Sequence, residues 1–162
     1  MGRTLDSRAD PTPHRARDPI TEPAAARRCL VNAFIIELDN QPGQLASVAK
    51  ATAESGINIT AIAGAASGEH GSIILITNDE AGTRSCLDGH GFSYRPIGLA
   101  SAALEDRPGA LAEAATRLAD AGVNVEALLP TGMAGGRITV AFGVGDVEAA
   151  KQALGELAGA AV

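Results

Sequence analysis

The chain repeats itself once, and that duplication limits its fold more than any other feature. Asp39-Asn40-Gln41-Pro42-Gly43-Gln44-Leu45 is echoed by Glu105-Asp106-Arg107-Pro108-Gly109-Ala110-Leu111, and Gly56-Ile57-Asn58-Ile59 by Gly122-Val123-Asn124-Val125. Pro42 and Pro108 lie 66 residues apart, as do Asn58 and Asn124. Two independent landmarks at one offset indicate a duplicated unit. The period exceeds that of solenoid repeats and fits a small domain present twice. The predicted division is a tail over 1–29, a first domain over 30–98 and a second over 99–162.

Each unit reads as β-α-β-β-α-β. In the first, residues 33–38 form an apolar run suited to a mostly buried strand. Pro42 sits near a helix start, where its missing N–H is tolerated. Leu45, Val48, Ala49 and Thr52 fall at the i, i+3, i+4, i+7 spacing of one helical stripe. Gly56 follows, as a left-handed helix end favours. Residues 57–63 and 72–77 are β-rich and flank a hairpin at 67–71. A helix over 79–90, diluted by Gly82 and Gly89, and a strand over 92–97 complete the unit. In the second, strands are expected at 99–104, 123–129 and 137–142. One helix uses Leu111, Ala114, Ala115 and Leu118, and another lies over 147–157 with Val147, Ala150, Leu154 and Leu157 on one face. Residues 158–162 are too short and plain for a convincing last strand. The expected fold class is α+β, a ferredoxin-like split βαβ arrangement. It comprises two tandem domains with antiparallel sheets and both helices of each on one face.

Composition narrows the function. Aromatic residues make up 2% of the chain, so Ala, Val, Ile and Leu must fill the core. That suits thin helix-on-sheet layers. Residues 1–29 carry six arginines against four acids, a net of +2, which leaves −8 for the rest of a chain whose formal total is −6. An acidic body argues against nucleic acid, because phosphate contacts need clustered Lys and Arg. The first 29 residues hold four prolines and few large apolar side chains, and read as a flexible tail or an upstream extension. No apolar run is long enough to span a bilayer and no secretory pattern is present, so the expectation is no membrane partner and a cytoplasmic location.

The paired motifs resemble those of the ACT domain: Asn or Asp, one variable residue, Pro-Gly, a small residue and Leu, then a helix ending in Gly-(Ile/Val)-Asn-(Ile/Val). The resemblance covers about residues 33–157, and the whole is similar to small stand-alone proteins made of two such domains. It implies a free amino acid bound at an interface between domains, beside the loop joining the first strand to the first helix. Carried over, the ligand-holding positions are Asn40 and Asn58 in the first unit and Asp106 and Asn124 in the second. Gln41, Pro42, Gly43, Gln44, Leu45 and Ile59, with Arg107, Pro108, Gly109, Ala110, Leu111 and Val125, join them as candidates. Asp106 departs from the amide-bearing pattern.

Physical chemistry supports the same positions. Exposed N–H groups at a helix N-terminus favour a carboxylate. Glycine after proline lets a ligand approach the backbone. An asparagine side chain both donates and accepts, as a zwitterion requires, whereas an ionised Asp106 only accepts and prefers the ammonium. The structural alternatives stay open: Asn40 and Asp106 as helix caps, Asn58 and Asn124 as turn formers, Gln41 and Arg107 as solvated side chains.

Other chemistry is sparse. Cys29 and Cys86 lack metal or disulfide spacing. His14, His70 and His90 are scattered, so no metal and no cofactor is expected. Gly132–Gly136 lacks the Gly-Lys-Ser/Thr ending of a phosphate loop and reads as a hairpin. Asp146 reads as a helix cap after a glycine-containing turn. The expected function is an amino-acid sensor or regulator, not an enzyme, whose output goes to a regulated enzyme partner or to its own homodimer state. A ligand-free dimerisation module is the alternative.

Overall fold

The computed structural model describes residues 31–159, so the 1–29 tail, Cys29 and the last three residues lie outside it. The elements run β1 (Val31–Asp39), α1 (Gln44–Glu54), β2 (Ile59–Ser67), β3 (His70–Thr77), α2 (Glu80–Gly89) and β4 (Ser93–Glu105). They continue α3 (Ala110–Asp120), β5 (Val125–Ala134), β6 (Arg137–Val144), α4 (Val147–Leu154) and a 3-10 turn at Gly155–Leu157. The fold is α+β and ferredoxin-like. Its strands form one antiparallel six-stranded sheet in the order β2-β3-β1-β4-β6-β5.

The two expected sheets are joined because β4 serves both units. The strands expected at 92–97 and 99–104 are one 13-residue strand, and the division between 98 and 99 falls inside it. Its first half pairs with β1 and its second half with β6. Gly98 is the crossing point, in register with Val31 on one side and Val144 on the other. Past the 3-10 turn, Ala158 bridges Ala102 and the Gly159 amide donates to the Ser101 carbonyl at 2.8 Å. This single bridge is all the described residues show of a final strand for the second unit.

Alternation along the strands sends side chains into three layers. Phe34, Ile36, Ile73 and Leu75 face α1 and α2, together with Val48 and Leu87. Ala100, Ala102, Leu104, Val140, Phe142 and Val144 face α3 and α4. The opposite sheet face folds on itself: Ala33, Ile35, Ile76, Ile97 and Leu99 pack with Ala127, Leu129 and Ala141. The edge strands β2 and β5, at opposite ends of the strand order, therefore touch. Helices lie outside and a sheet-on-sheet layer inside, which lets a chain nearly without aromatics bury its small apolar residues.

The helical stripes are rotated from the sequence expectation. The buried residues of α1 are Val48, Ala51 and Thr52, and those of α3 are Ala110, Ala114 and Leu118. Leu45 and Leu111, expected inside, are 57% and 45% exposed. Both helices begin one residue after a glycine with positive φ, 96° at Gly43 and 91° at Gly109. That turn sets the phase and swings the following leucine outward. Both strand hairpins are also longer than expected, running to Ser67 and Ala134, because cross-strand pairing extends through small residues of weak β-propensity.

The repeat offset changes partway. The helix-capping Asp79 and Asp146 are 67 residues apart, not 66. The extra residue is taken up at Thr131, where the β5–β6 register shifts between Pro130 and Gly132. This is a β-bulge, two residues opposing one. Each capping aspartate accepts a first-turn amide, from Gly82 at 2.9 Å and Ala149 at 3.0 Å. Asp146→Ala is expected to lower stability by about 1 kcal/mol. It should shift the urea midpoint with little change in slope.

Candidate functional site

The loop between β1 and α1 is anchored to the β2–β3 hairpin. The Asn40 amide nitrogen of the backbone donates to the Glu69 carbonyl at 2.8 Å, and its side-chain Nδ2 donates to the Gly68 carbonyl at 2.9 Å. Asn40 is therefore a latch and not the helix cap. Gly43 occupies the cap position, with no side-chain cap bond. Asp106 likewise does not cap α3, where Gly109 stands. Its backbone amide still donates to Gly136, but a carboxylate offers no proton for the second bond.

Between this loop and the outer strand lies a cleft of about 470 Å³, within the range of small-ligand sites. Asp39, Asn40, Gln41, Gln44 and Leu45 form one wall. Leu38, Gly71 and Ile73 form the floor, and Ile62, Gly64 and Ala66 the open side along β2. Ile62 and Leu45 are exposed large apolar residues on this rim. No Lys, Arg or His lines it. The start of α1 closes the wall without a side-chain cap, whereas α2 and α4 each have an aspartate on their first-turn amides.

The predicted site residues divide. Asn40, Gln41, Gln44 and Leu45 come together on the cleft; Pro42 and Gly43 shape the turn behind them. Asn58 and Ile59 stand at the other end of β2. Asn58 exchanges bonds with Asn78, its amide donating to Asn78 Oδ1 at 2.9 Å and its carbonyl accepting from the Asn78 amide at 3.1 Å. The length of β2 separates Asn58 from the Asn40 loop by roughly 25 Å at ~3.3 Å per residue. One chain does not bring the two asparagines of a unit to one ligand. By the same topology Asn124 and Val125 lie far from Asp106.

In the second unit, Arg107 is held by carboxylates. Its Nε donates to Glu105 at 2.8 Å and its NH2 to Glu113 at 3.3 Å. The Arg107 guanidinium holds the Glu105 carboxyl below the usual carboxylate range, and Glu105 in turn raises Arg107. Ala110 is buried, Leu111 is exposed, and Pro108 and Gly109 repeat the turn.

Sequence reasoning missed the β2 and β3 half of the cleft: Ile62, Gly64, Ala66, Gly71 and Ile73. The run Gly64-Ala65-Ala66 lies past the expected strand end at residue 63, although β2 continues through it. Its signal was the absence of bulky residues next to a loop already marked as a ligand site. Among the described residues no group of three His, Cys, Asp or Glu could hold a metal ion, and no helix is long and apolar enough to cross a membrane.

No family model and no curated protein sequence matches the chain. Solved structures do. A protein from Bacteroides thetaiotaomicron superposes with a TM-score of 0.65 at 22% identity, covering 78% of this chain and 87% of that one. The ligand-free regulatory subunit of aspartate kinase from Thermus thermophilus gives 0.60 at 21% identity, covering 80% and 95%. That of Thermus flavus gives 0.56 at 23%, covering 78% and 93%. The likeness is one of fold, the ferredoxin-like arrangement.

Proposed function

We propose that this chain is a regulatory protein that binds a free amino acid at the β1–α1 loop of its first unit, between ACT-type units, and is not itself an enzyme. The observation that carries this reading is the convergence in one cleft of an uncapped helix start, polar loop side chains and an apolar floor. A zwitterion matches it: the carboxylate suits first-turn amides and the helix dipole, and the ammonium suits the Asp39 and Asn40 side. Two of the structurally similar proteins are regulatory subunits of aspartate kinase by name, which supports a regulatory role. The output then passes to a partner such as a regulated enzyme, or to the chain's own assembly.

A second copy fits the same reading. The outer edge of β2 is hydrogen-bonded to no strand among the described residues, and such edges invite pairing. Antiparallel pairing of two β2 strands sets the start of one against the end of the other. Asn58 of a second copy then comes to the Asn40 end of the cleft, and a homodimer unites the two predicted asparagines.

A ligand-free pairing module is the competing reading. It is favoured by Leu45 and Ile62 being exposed at the positions of Leu111 and Leu128, so that both units present the same apolar pair. A thermal-shift screen against the twenty amino acids separates the two. Ligand far above its dissociation constant stabilises the folded state by mass action, so a rise of several degrees with one amino acid or a few related ones is expected. No rise with any of the twenty leaves the pairing module. Asn40→Ala is expected to weaken binding at least tenfold, because it removes the latch to Gly68, while light scattering shows an unchanged mass.

A further inference from the structure

The two units are not equivalent as sites, and the register shows why. Gly71 stands opposite Leu38 on the floor of the first cleft, and Ile138 stands opposite Leu104 at the matching place in the second unit. Gly64 pairs with Ile73 on the open side, and Pro130 pairs with Val140. Both glycines that leave room in the first unit are thus bulky residues in the second. Ile138 is half-buried and packs against the second unit's helix-facing core, so a bulky side chain stands where the first unit has only a glycine. The wall changes too. Half-buried Gln44 becomes buried Ala110, and Gln41 becomes Arg107, which is tied to Glu105 and Glu113.

The first cleft also selects by chemistry. Leu38, Leu45, Ile62 and Ile73 supply its apolar surface, and Asp39 is its one ionisable lining residue. An acidic ligand side chain would meet no cation there and would face Asp39. With Asp39 facing the ligand's α-ammonium, a second ammonium would have to leave water for an apolar floor with no partner of its own, which is costly. An aliphatic side chain loses nothing and gains burial.

On the reading that the chain binds an amino acid, we propose that each chain holds one ligand, in the first unit alone, and that this ligand is an amino acid with an uncharged aliphatic side chain. The second unit keeps the fold but carries bulkier residues where the first unit's cleft opens.

The test is a series of amide nitrogen–proton NMR titrations of the full chain with each of the twenty amino acids. Valine, leucine or isoleucine is expected to move the amides of Asn40, Gln44, Ile62 and Gly71 and leave those of Asp106, Ala110, Leu128 and Ile138 in place. Gly71→Ile copies the second unit. A Cβ at Gly71 meets nothing nearer than 3.6 Å, which is ordinary van der Waals contact. This variant is expected to keep a dispersed spectrum and lose the shifts by more than tenfold in affinity; Gln44→Ala serves as the second variant. Matching shifts in both units overturn the single site. Preferential binding of lysine, arginine, aspartate or glutamate in the first cleft overturns the aliphatic class and leaves the amino-acid reading standing. Silence with all twenty overturns the amino-acid reading and this proposal with it.

Discussion

Leu129→Ala is expected to cost 2–5 kcal/mol, the range for a fully buried leucine whose removal leaves a cavity, while Leu128→Ala beside it costs less than about 1 kcal/mol. Leu129 is 0% exposed in the layer where the two halves of the sheet face each other; Leu128 is 41% exposed on the opposite face. Folded domains are stable by only about 5–15 kcal/mol, so the first change removes a large share of the total and the second almost none. Urea unfolding of both variants measures it. A larger loss at Leu128 than at Leu129 would mean that β5 is displaced by one residue, since a single-residue slip exchanges the two faces of a strand. A small loss at Leu129 would mean that the inner layer is loosely packed and that the two units are held together mainly through β4.

That inner layer was hidden in the sequence, and the reason is instructive. The Pro-Gly turns, the Gly-Ile-Asn and Gly-Val-Asn ends and the two capping aspartates are local devices, each made by neighbours in the chain. Gly56 and Gly122 take positive φ, at 71° and 70°, as their places after a helix require. Strand pairing is made by residues far apart. Gly98 reads as a break between two short strands, but buried and paired on both sides it is the middle of one long strand. Ala61, Ala63 and Ala127 read as weak strand formers, and their small size is what lets β2 approach β5.

The candidate site shows the same division. Its loop wall, Asn40 to Leu45, was legible because turn chemistry announces itself. The other wall comes from β2 and β3, whose side chains Gly64, Ala66 and Gly71 mark the cleft by what they lack. Asn58 was legible as a repeated residue, but not its distance from Asn40, because the chain must first traverse α1 and return to the far end of the sheet. A motif carried by two short segments leaves open whether the segments meet in one chain. Here they do not, and only an edge shared with a second copy unites them in the proposed site.

Gly143→Ala is expected to destabilise the protein by about 3 kcal/mol, the upper part of the usual range for overpacking. A Cβ at this position would lie 2.7 Å from the Ala127 Cβ and 3.0 Å from the Ile97 Cδ1. The isoleucine end can turn aside. The alanine Cβ is fixed to the backbone of the paired strand, Ala127 and Gly143 being register partners, so β5 must shift away from β6. Ala127→Gly alone should cost about 1–2 kcal/mol, from a lost buried methyl and a freer unfolded backbone. Together the two changes move one methyl across the strand pair and remove the collision. The double variant should therefore be more stable than the sum of the single effects by at least about 1 kcal/mol, a coupling that urea unfolding of the four proteins resolves. Strict additivity would place the cost of Gly143→Ala elsewhere, in the approach of β6 to Ile97 on β4. The fit of the two half-sheets would then be set by the strand that joins the units rather than by the edge that carries Leu128.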